Sequence, residues 1–268
     1  MKTFRYALCC LALLVLGTAR AAIGYDYKAP TQHPGKGLLS IWLTGQVGPA
    51  DLDSLLKADG VIRNNLALND YARDDLLVLI NLDSIGGNVS TALAIGRYIR
   101  ALKSASTTVA KDAKCFSSCV FILAGATNRA VDGKIGIHRP YEPNDATLTP
   151  VKQKEKYDKL GVELTSYLKE MNVPVRLYED MLFISPERMK ILTSDEQEKY
   201  GLNVSDPYFE EAQKVMQAQG LGISRLQLAQ REARQNVQCP DKGYDMSWPK
   251  PVLLAFLTCR DEVLHGLR

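Results

Sequence analysis

The strongest restriction on the fold is the run Leu76–Leu82, LLVLINL, broken at once by Asp83-Ser84-Ile85-Gly86-Gly87. The run has the length of a strand and none of the in–out alternation of a strand with one wet face. It therefore reads as a strand covered on both sides, the environment of a central strand in a parallel sheet. Such a sheet needs crossovers, and the neighbouring segments supply them. Leu39–Val47, Thr107–Ala110, Arg129–Val131 and Ile135–His138 read as further strands. Residues 50–60, with Leu52, Leu55 and Leu56 on one face, read as a helix. So do the series Val89, Leu93, Gly96, Ile99, Leu102 and the apolar segment Ser117–Ala124. Strands alternating with helices imply an α/β domain of right-handed βαβ units.

Downstream the pattern is helical. A long polar helix starts near Pro150 with Leu160, Leu164, Leu168 and Met171 on one face, and short helices follow Pro174 and Pro186. Residues 207–236 read as a Gln-, Ala- and Glu-rich helix broken at Gly220 and Gly222, and the last 30 residues read as a tail. The start of the chain is different. Lys2 and Arg5 precede an apolar run from Tyr6 to Leu16, and Ala19-Arg20-Ala21 is a small-x-small cleavage site. Residues 1–21 thus have the layout of a secretory signal peptide cut before Ala22. The run falls short of the roughly 20 residues of a membrane span. The expected location is periplasmic or secreted, with membrane attachment only through an uncleaved leader. Residues 22–38, rich in Pro, Gly and Tyr, read as an extended arm.

Charge excludes one class of partner. Three of the 33 Lys and Arg residues lie in the leader, leaving 30 to balance the 30 Asp and Glu. No basic run stands out, so there is no electrostatic footprint for nucleic acid. Four cysteines follow the leader: Cys115, Cys119, Cys239 and Cys259. In an oxidising compartment an even number favours disulfides, and proximity favours Cys115–Cys119 and Cys239–Cys259 among the three pairings. A metal site is the rival reading, but His33, His138 and His265 have no ligand spacing to a cysteine. Asn-Val-Ser sequons at Asn88 and Asn203 read as chance matches.

Three short segments carry residues suited to chemistry. Ser84-Ile85-Gly86-Gly87-Asn88 joins the apolar strand to a helix. Paired glycines leave backbone N–H groups uncovered and able to receive an oxyanion or phosphate, although such a turn also occurs with no function. It lacks the full GxGxxG pattern and the P-loop lysine of a nucleotide site. In Lys114-Cys115-Phe116-Ser117-Ser118-Cys119, Ser117 opens a helix, either as an activated hydroxyl or as a plain N-cap. A Cys115–Cys119 bridge would pin this loop, as a structural element or as a redox gate. In Gly136-Ile137-His138-Arg139-Pro140, His138 ends a strand, either as a general base or as a structural core histidine. The three together supply nucleophile, base and oxyanion donors at element ends.

LTGQV at Leu43–Val47, SIGGNV at Ser84–Val89, CFSSCVFILAG at Cys115–Gly125, IGIHRPY at Ile135–Tyr141 and YGL at Tyr200–Leu202 occur in this order. In sequence and spacing they resemble the Clp protease proteolytic subunit and its relatives in the crotonase-like superfamily. The likeness is strongest to exported relatives with a Cys-x-Ser-x-Cys box. It implies a ClpP/crotonase-like spiral of βαβ units with a mostly parallel sheet over residues 39–205. A helical, disulfide-clipped extension over residues 206–268 would follow. It implies Ser117 as nucleophile, with Ser118 as the near alternative, and His138 as general base. The oxyanion donors would come from Gly86-Gly87 and the backbone of Ser118.

The same resemblance implies a serine peptidase-like hydrolase of peptide or protein substrates that needs no metal, nucleotide or other cofactor. It implies a homo-oligomer with its interface helix near residues 150–171, a face that core packing would equally explain. An ATP-driven unfoldase partner is not expected outside the cytoplasm. The family's triad aspartate aligns with Met189, leaving Glu187 and Asp180 as substitutes. Two alternatives follow: a non-catalytic ClpP-like binding protein, and a crotonase-like acyl-thioester enzyme. The second needs coenzyme A, which export disfavours.

Overall fold

The apolar run lies in β3 (Leu76–Gly87), the strand around which the sheet is built. The computed structural model describes residues 22–29, 37–68, 76–102, 105–141, 147–240 and 248–268. The leader, and with it the cleavage site, lies outside the described residues. β3 pairs in parallel with β2 (Gly37–Val47) along its whole length, from Gly37 opposite Leu76 to Val47 opposite Gly87. On its other side it changes partner. Its first half pairs with β4 (Ala105–Val109), and Ser84 near its end pairs with Cys115 of β5 (Lys114–Phe116). The sheet therefore forks. β4 continues to β6 (Asn128–Val131), and β5 continues to β7 (Lys134–Ile137). The two-residue β8 (Lys190–Ile191) adds antiparallel to β7. The fold is mixed α/β with a mostly parallel sheet and C-terminal helices.

Double-sided cover of β3 is only partly realised. Leu76, Val78, Ile80 and Leu82 are fully buried, whereas Leu77 on the other face is 49% exposed. Unbroken apolarity does not force burial, because folded surfaces carry many apolar atoms. Nor does the strand stop at Asp83. It runs on to Gly87 by way of a register shift opposite Gly45/Gln46. The N-terminal arm is extended but not separate. Its residues Ala22–Lys28 form β1, antiparallel to β2.

The helices follow their sequence signals. α1 spans Asp51–Leu68, longer than expected, and buries Leu55, Ile62 and Leu66. α2 (Val89–Ala101) starts where the Asn88 side chain accepts the Thr91 N–H at 2.8 Å, and it buries Leu93, Ile95 and Ile99. Every residue of α3 (Cys119–Gly125) is buried. α4 (Pro150–Glu170) buries Leu164 and Leu168, with Met171 just beyond it, so the anticipated interface face packs into its own core. α5 spans Arg176–Met181. The helix expected after Pro186 does not form. Residues 186–189 turn directly into β8, and the next helix, α6 (Ser194–Lys199), begins at a Thr193–Glu196 capping box. Both sequon asparagines are engaged: Asn88 as a cap, and Asn203 through its amide to the N–H and C=O of Val131.

The chain divides after Asn203 into two compact units. In the second, Val204–Arg268, α7 (Pro207–Gly220) and α8 (Arg225–Gln238) flank the glycine break. The expected tail is instead a regular helix, α9 (Lys250–His265). The Cys239–Cys259 disulfide joins the end of α8 to α9, with Cα atoms 6.0 Å apart. Among the described residues the buried apolar set of this unit is small, comprising Ala218, Leu228, Cys239 and Val263. A core of that size leans on its cross-link. Replacing Cys239 and Cys259 together by alanine should cost the unit about 3 kcal/mol by the chain-entropy relation. Urea melts followed by far-UV circular dichroism will register this as early loss of part of the helical signal. An unchanged melt would mean that the helix packing suffices.

Candidate active site

The carboxyl ends of four parallel strands, β2, β3, β5 and β7, converge on one edge of the sheet. In open α/β sheets that edge is the usual ligand crevice. A groove of about 610 Å³ opens there, with Gln46, Gly86, Ser117, His138, Tyr141 and Met181 among its lining residues. Among the described residues no Asp, Glu, Lys or Arg side chain lines it.

Ser117 immediately follows β5 and precedes α3, and the chain reverses sharply between the two. Its φ is +55°, in the left-handed region that an L-residue enters at a cost of about 1–2 kcal/mol. Three restraints impose this turn. The Ser117 N–H donates to the Gly136 carbonyl at 2.9 Å, and the Ser117 carbonyl accepts the Val120 N–H at 3.1 Å. The Cys115–Cys119 disulfide brackets the turn, with Cα atoms 5.2 Å apart and both sulfurs buried. Ser117 therefore lies two residues before the helix rather than at its first position, and the N-cap position belongs to Ser118. With a seven-residue helix starting beyond it, the turn, rather than a helix dipole, presents the Ser117 side chain to the groove.

The two serines are not equivalent. Ser117 is half-buried on the groove, whereas the Ser118 hydroxyl is sealed in the interior with no hydrogen-bond partner. The Ser118 side chain is thus poorly placed to attack a ligand. Its backbone N–H, however, has no acceptor among the described residues. Buried N–H groups are nearly always paired, so this is a donor held in reserve.

Gly86 faces that donor. A Cβ built on Gly86 would lie 2.5 Å from the Phe116 carbonyl oxygen, 2.7 Å from Ser117 Cβ and 2.9 Å from Ser118 N, and its φ is +85°. Only glycine lets the two loops approach this closely. The Gly86 N–H itself is taken by Ser84 Oγ at 3.1 Å, whose hydroxyl donates to the Gly45 carbonyl at 2.6 Å. Gly86 thus gives the two loops clearance, with its N–H engaged by Ser84. Gly87, with φ +147°, lies against the Val47 carbonyl.

His138 leaves β7 one residue after its end and is 7% exposed. Because Phe116 pairs with Gly136, Ser117 and His138 leave neighbouring strand ends, which run about 4.8 Å apart. His138 Nδ1 lies 2.8 Å from the carbonyl oxygen of Arg139. A carbonyl can only accept, so Nδ1 carries the proton and Nε2 of the neutral ring is the free acceptor. The Tyr141 ring packs at 5.7 Å between centroids.

No carboxylate among the described residues bonds to His138. Asp180 instead accepts from the Tyr200 hydroxyl at 2.6 Å and pairs with Arg176 at 2.9 Å. The Tyr200 bond, with Arg176 behind it, lowers the Asp180 pKa below the usual carboxylate range, while desolvation, with Asp180 behind it, pushes Tyr200 up to about 12. Glu187 accepts from the Ser185 hydroxyl, which lowers its pKa. Met189, at the expected aspartate position, abuts Gly136, where a Cβ would meet its sulfur at 2.7 Å. Among the described residues no three His, Cys, Asp or Glu side chains cluster as a metal site, and no helix is long and apolar enough to cross a membrane.

Sequence reasoning passed over Met181, Phe121 and Tyr141 as groove residues and the Arg139 carbonyl as a histidine partner. No protein-family model and no curated protein matches the sequence. Among solved structures the chain is similar to a "1510-N membrane-bound stomatin-specific protease" in a serine-to-alanine mutant form. The two share 19% identity over 62% of this chain and 76% of that one, with a TM-score of 0.44.

Proposed function

We propose that the chain is an exported, ClpP-like serine hydrolase that cleaves peptide or protein substrates through Ser117 and His138. The observation that carries this reading is the strained left-handed turn at Ser117, which spends stability to hold a hydroxyl on a groove shared with His138. Strain of this kind collects at functional sites. In the reaction, Nε2 of His138 removes the Ser117 proton as Oγ attacks the substrate carbonyl, then returns it to the leaving amine. The Ser118 N–H, uncovered by Gly86, receives the negative charge that develops on the carbonyl oxygen, with Gly87 as the second candidate donor. Water then releases the acyl group by the same steps in reverse. The described lining of the groove, with Val47, Ile85, Phe121 and Met181, suits an apolar acyl segment.

The test is labelling of the mature protein with a fluorophosphonate probe. Ser117 should label covalently, and Ser117→Ala should take up none. Absence of labelling at saturating probe would overturn the hydrolase reading. It would favour the non-catalytic binding protein, for which Met189 at the expected acid position is the supporting observation.

A further inference from the structure

We infer that the backbone carbonyl of Arg139 is the positioning group for His138, in the role that a carboxylate would otherwise fill. The inference deepens the hydrolase reading and rests on it for its catalytic consequence, but the histidine geometry can be tested without turnover. A base of this type needs one ring nitrogen fixed as a donor so that the other is free to accept, and the ring must be held in one orientation. The 2.8 Å contact from Nδ1 to the Arg139 carbonyl meets both needs.

The local chain is built to hold that carbonyl still. On its amino side, the Arg139 N–H donates to the Ile184 carbonyl at 2.9 Å. On its carboxyl side the next residue is Pro140, buried, with a ring that fixes φ and no N–H to compete for acceptors. The Arg139 side chain is exposed and takes no part. Asp180 and Glu187, the substitutes expected from the sequence, are engaged elsewhere, Asp180 with Tyr200 and Arg176, and Glu187 with Ser185. His-Arg-Pro is thus a self-contained clamp, and Met189 is free to be apolar because no acid is required there. A neutral acceptor stabilises the imidazolium less than a carboxylate does, so the arrangement gives up some rate for independence from a third side chain.

The experiment combines two readouts on the full mature chain. Long-range proton–nitrogen spectra of ring-labelled histidine, assigned with His33 and His265 replaced, report the tautomer of His138. Fluorophosphonate labelling reports the reactivity of Ser117. The expected result is a single Nδ1-protonated tautomer whose signals and labelling rate are unchanged in Glu187→Gln and in Asp180→Asn. Pro140→Gly should mix the tautomers and slow labelling by about 10-fold or more. A fall on the order of 10⁴ in either carboxylate variant would assign the role to that acid and overturn the inference. An Nε2-protonated tautomer in the parent protein would overturn it as well. If Ser117 takes no probe at all, the hydrolase reading falls, and the tautomer measurement alone decides the role of the Arg139 carbonyl.

Discussion

Gly86→Ala will silence Ser117 and destabilise the first unit together. The added methyl would sit 2.5 Å from the Phe116 carbonyl oxygen and 2.9 Å from Ser118 N. Both are backbone atoms that no rotamer change can move aside. The residue must also keep a φ of +85°. Overpacking of about 1–3 kcal/mol and the left-handed conformation together predict a loss of about 2–5 kcal/mol. The functional loss has a separate cause, since relief of the clash must push the Ser117–Ser118 turn away and cover the Ser118 N–H, the proposed oxyanion donor. Loss of one such donor lowers turnover on the order of 10²–10³. Gly60→Ala is the control. It lies within α1 with nothing within 4 Å of the added carbon, and there alanine should stabilise by about 0.5–1 kcal/mol. Parental labelling in Gly86→Ala would show that the two loops are not in the contact described.

Much of the fold was legible because it follows from short-range signals. The apolar run of β3, the start of the long helix at Pro150 and the break at Gly220 and Gly222 each mark an element that forms. The misreadings share a cause as well. The strand β1, the missing helix after Pro186 and the helix α9 are decided by a partner distant in sequence. Ala22–Lys28 becomes a strand because β2 offers an edge, and residues 190–191 because β7 does. α9 forms where Cys259 meets Cys239 across 20 residues of chain. Pro and Gly content reads as irregularity unless such a partner is known.

At the site, residue types were legible and backbone roles were not. Ser117 and His138 could be picked out as a candidate nucleophile and base because they sit where strands end. That the Ser118 hydroxyl is sealed away while its N–H has no acceptor among the described residues, and that Gly86 gives clearance, depends on φ angles and loop approach. The partner of His138 was harder still. A search for an acid looks among side chains, and the geometry answers with a main-chain carbonyl one residue away. The Pro that follows is the one clue in the sequence, and it reads as a turn signal until the hydrogen bond is seen.

Arg129→Met will strongly destabilise the first unit without touching the groove. Arg129 is 3% exposed on β6, and its guanidinium reaches three backbone carbonyls: Gly201 at 2.6 Å, Ala124 at 2.9 Å and Met171 at 2.8 Å. Ala124 lies in the last turn of α3, Met171 is the C-cap of α4, and Gly201 follows α6. Each is an acceptor at a helix end, where carbonyls lack intrahelical partners and carry partial negative charge. One planar group with donors in a fixed fork can serve all three at once, which a lysine ammonium cannot. Methionine keeps most of the volume but strands the Gly201 and Ala124 carbonyls, while the Met171 carbonyl keeps Arg100 as a donor at 2.6 Å, for a loss of about 3–5 kcal/mol. For a unit of this size the melting temperature should fall by about 10 °C, and Arg129→Lys should recover only part of the loss. Because Arg129 does not line the groove, the fluorophosphonate-labelled fraction should track the folded fraction at every temperature. A melting temperature equal to the parent's would mean that the three helix ends find other donors. Loss of labelling well below the melt would mean that the clamp also sets the geometry of Ser117, through α3.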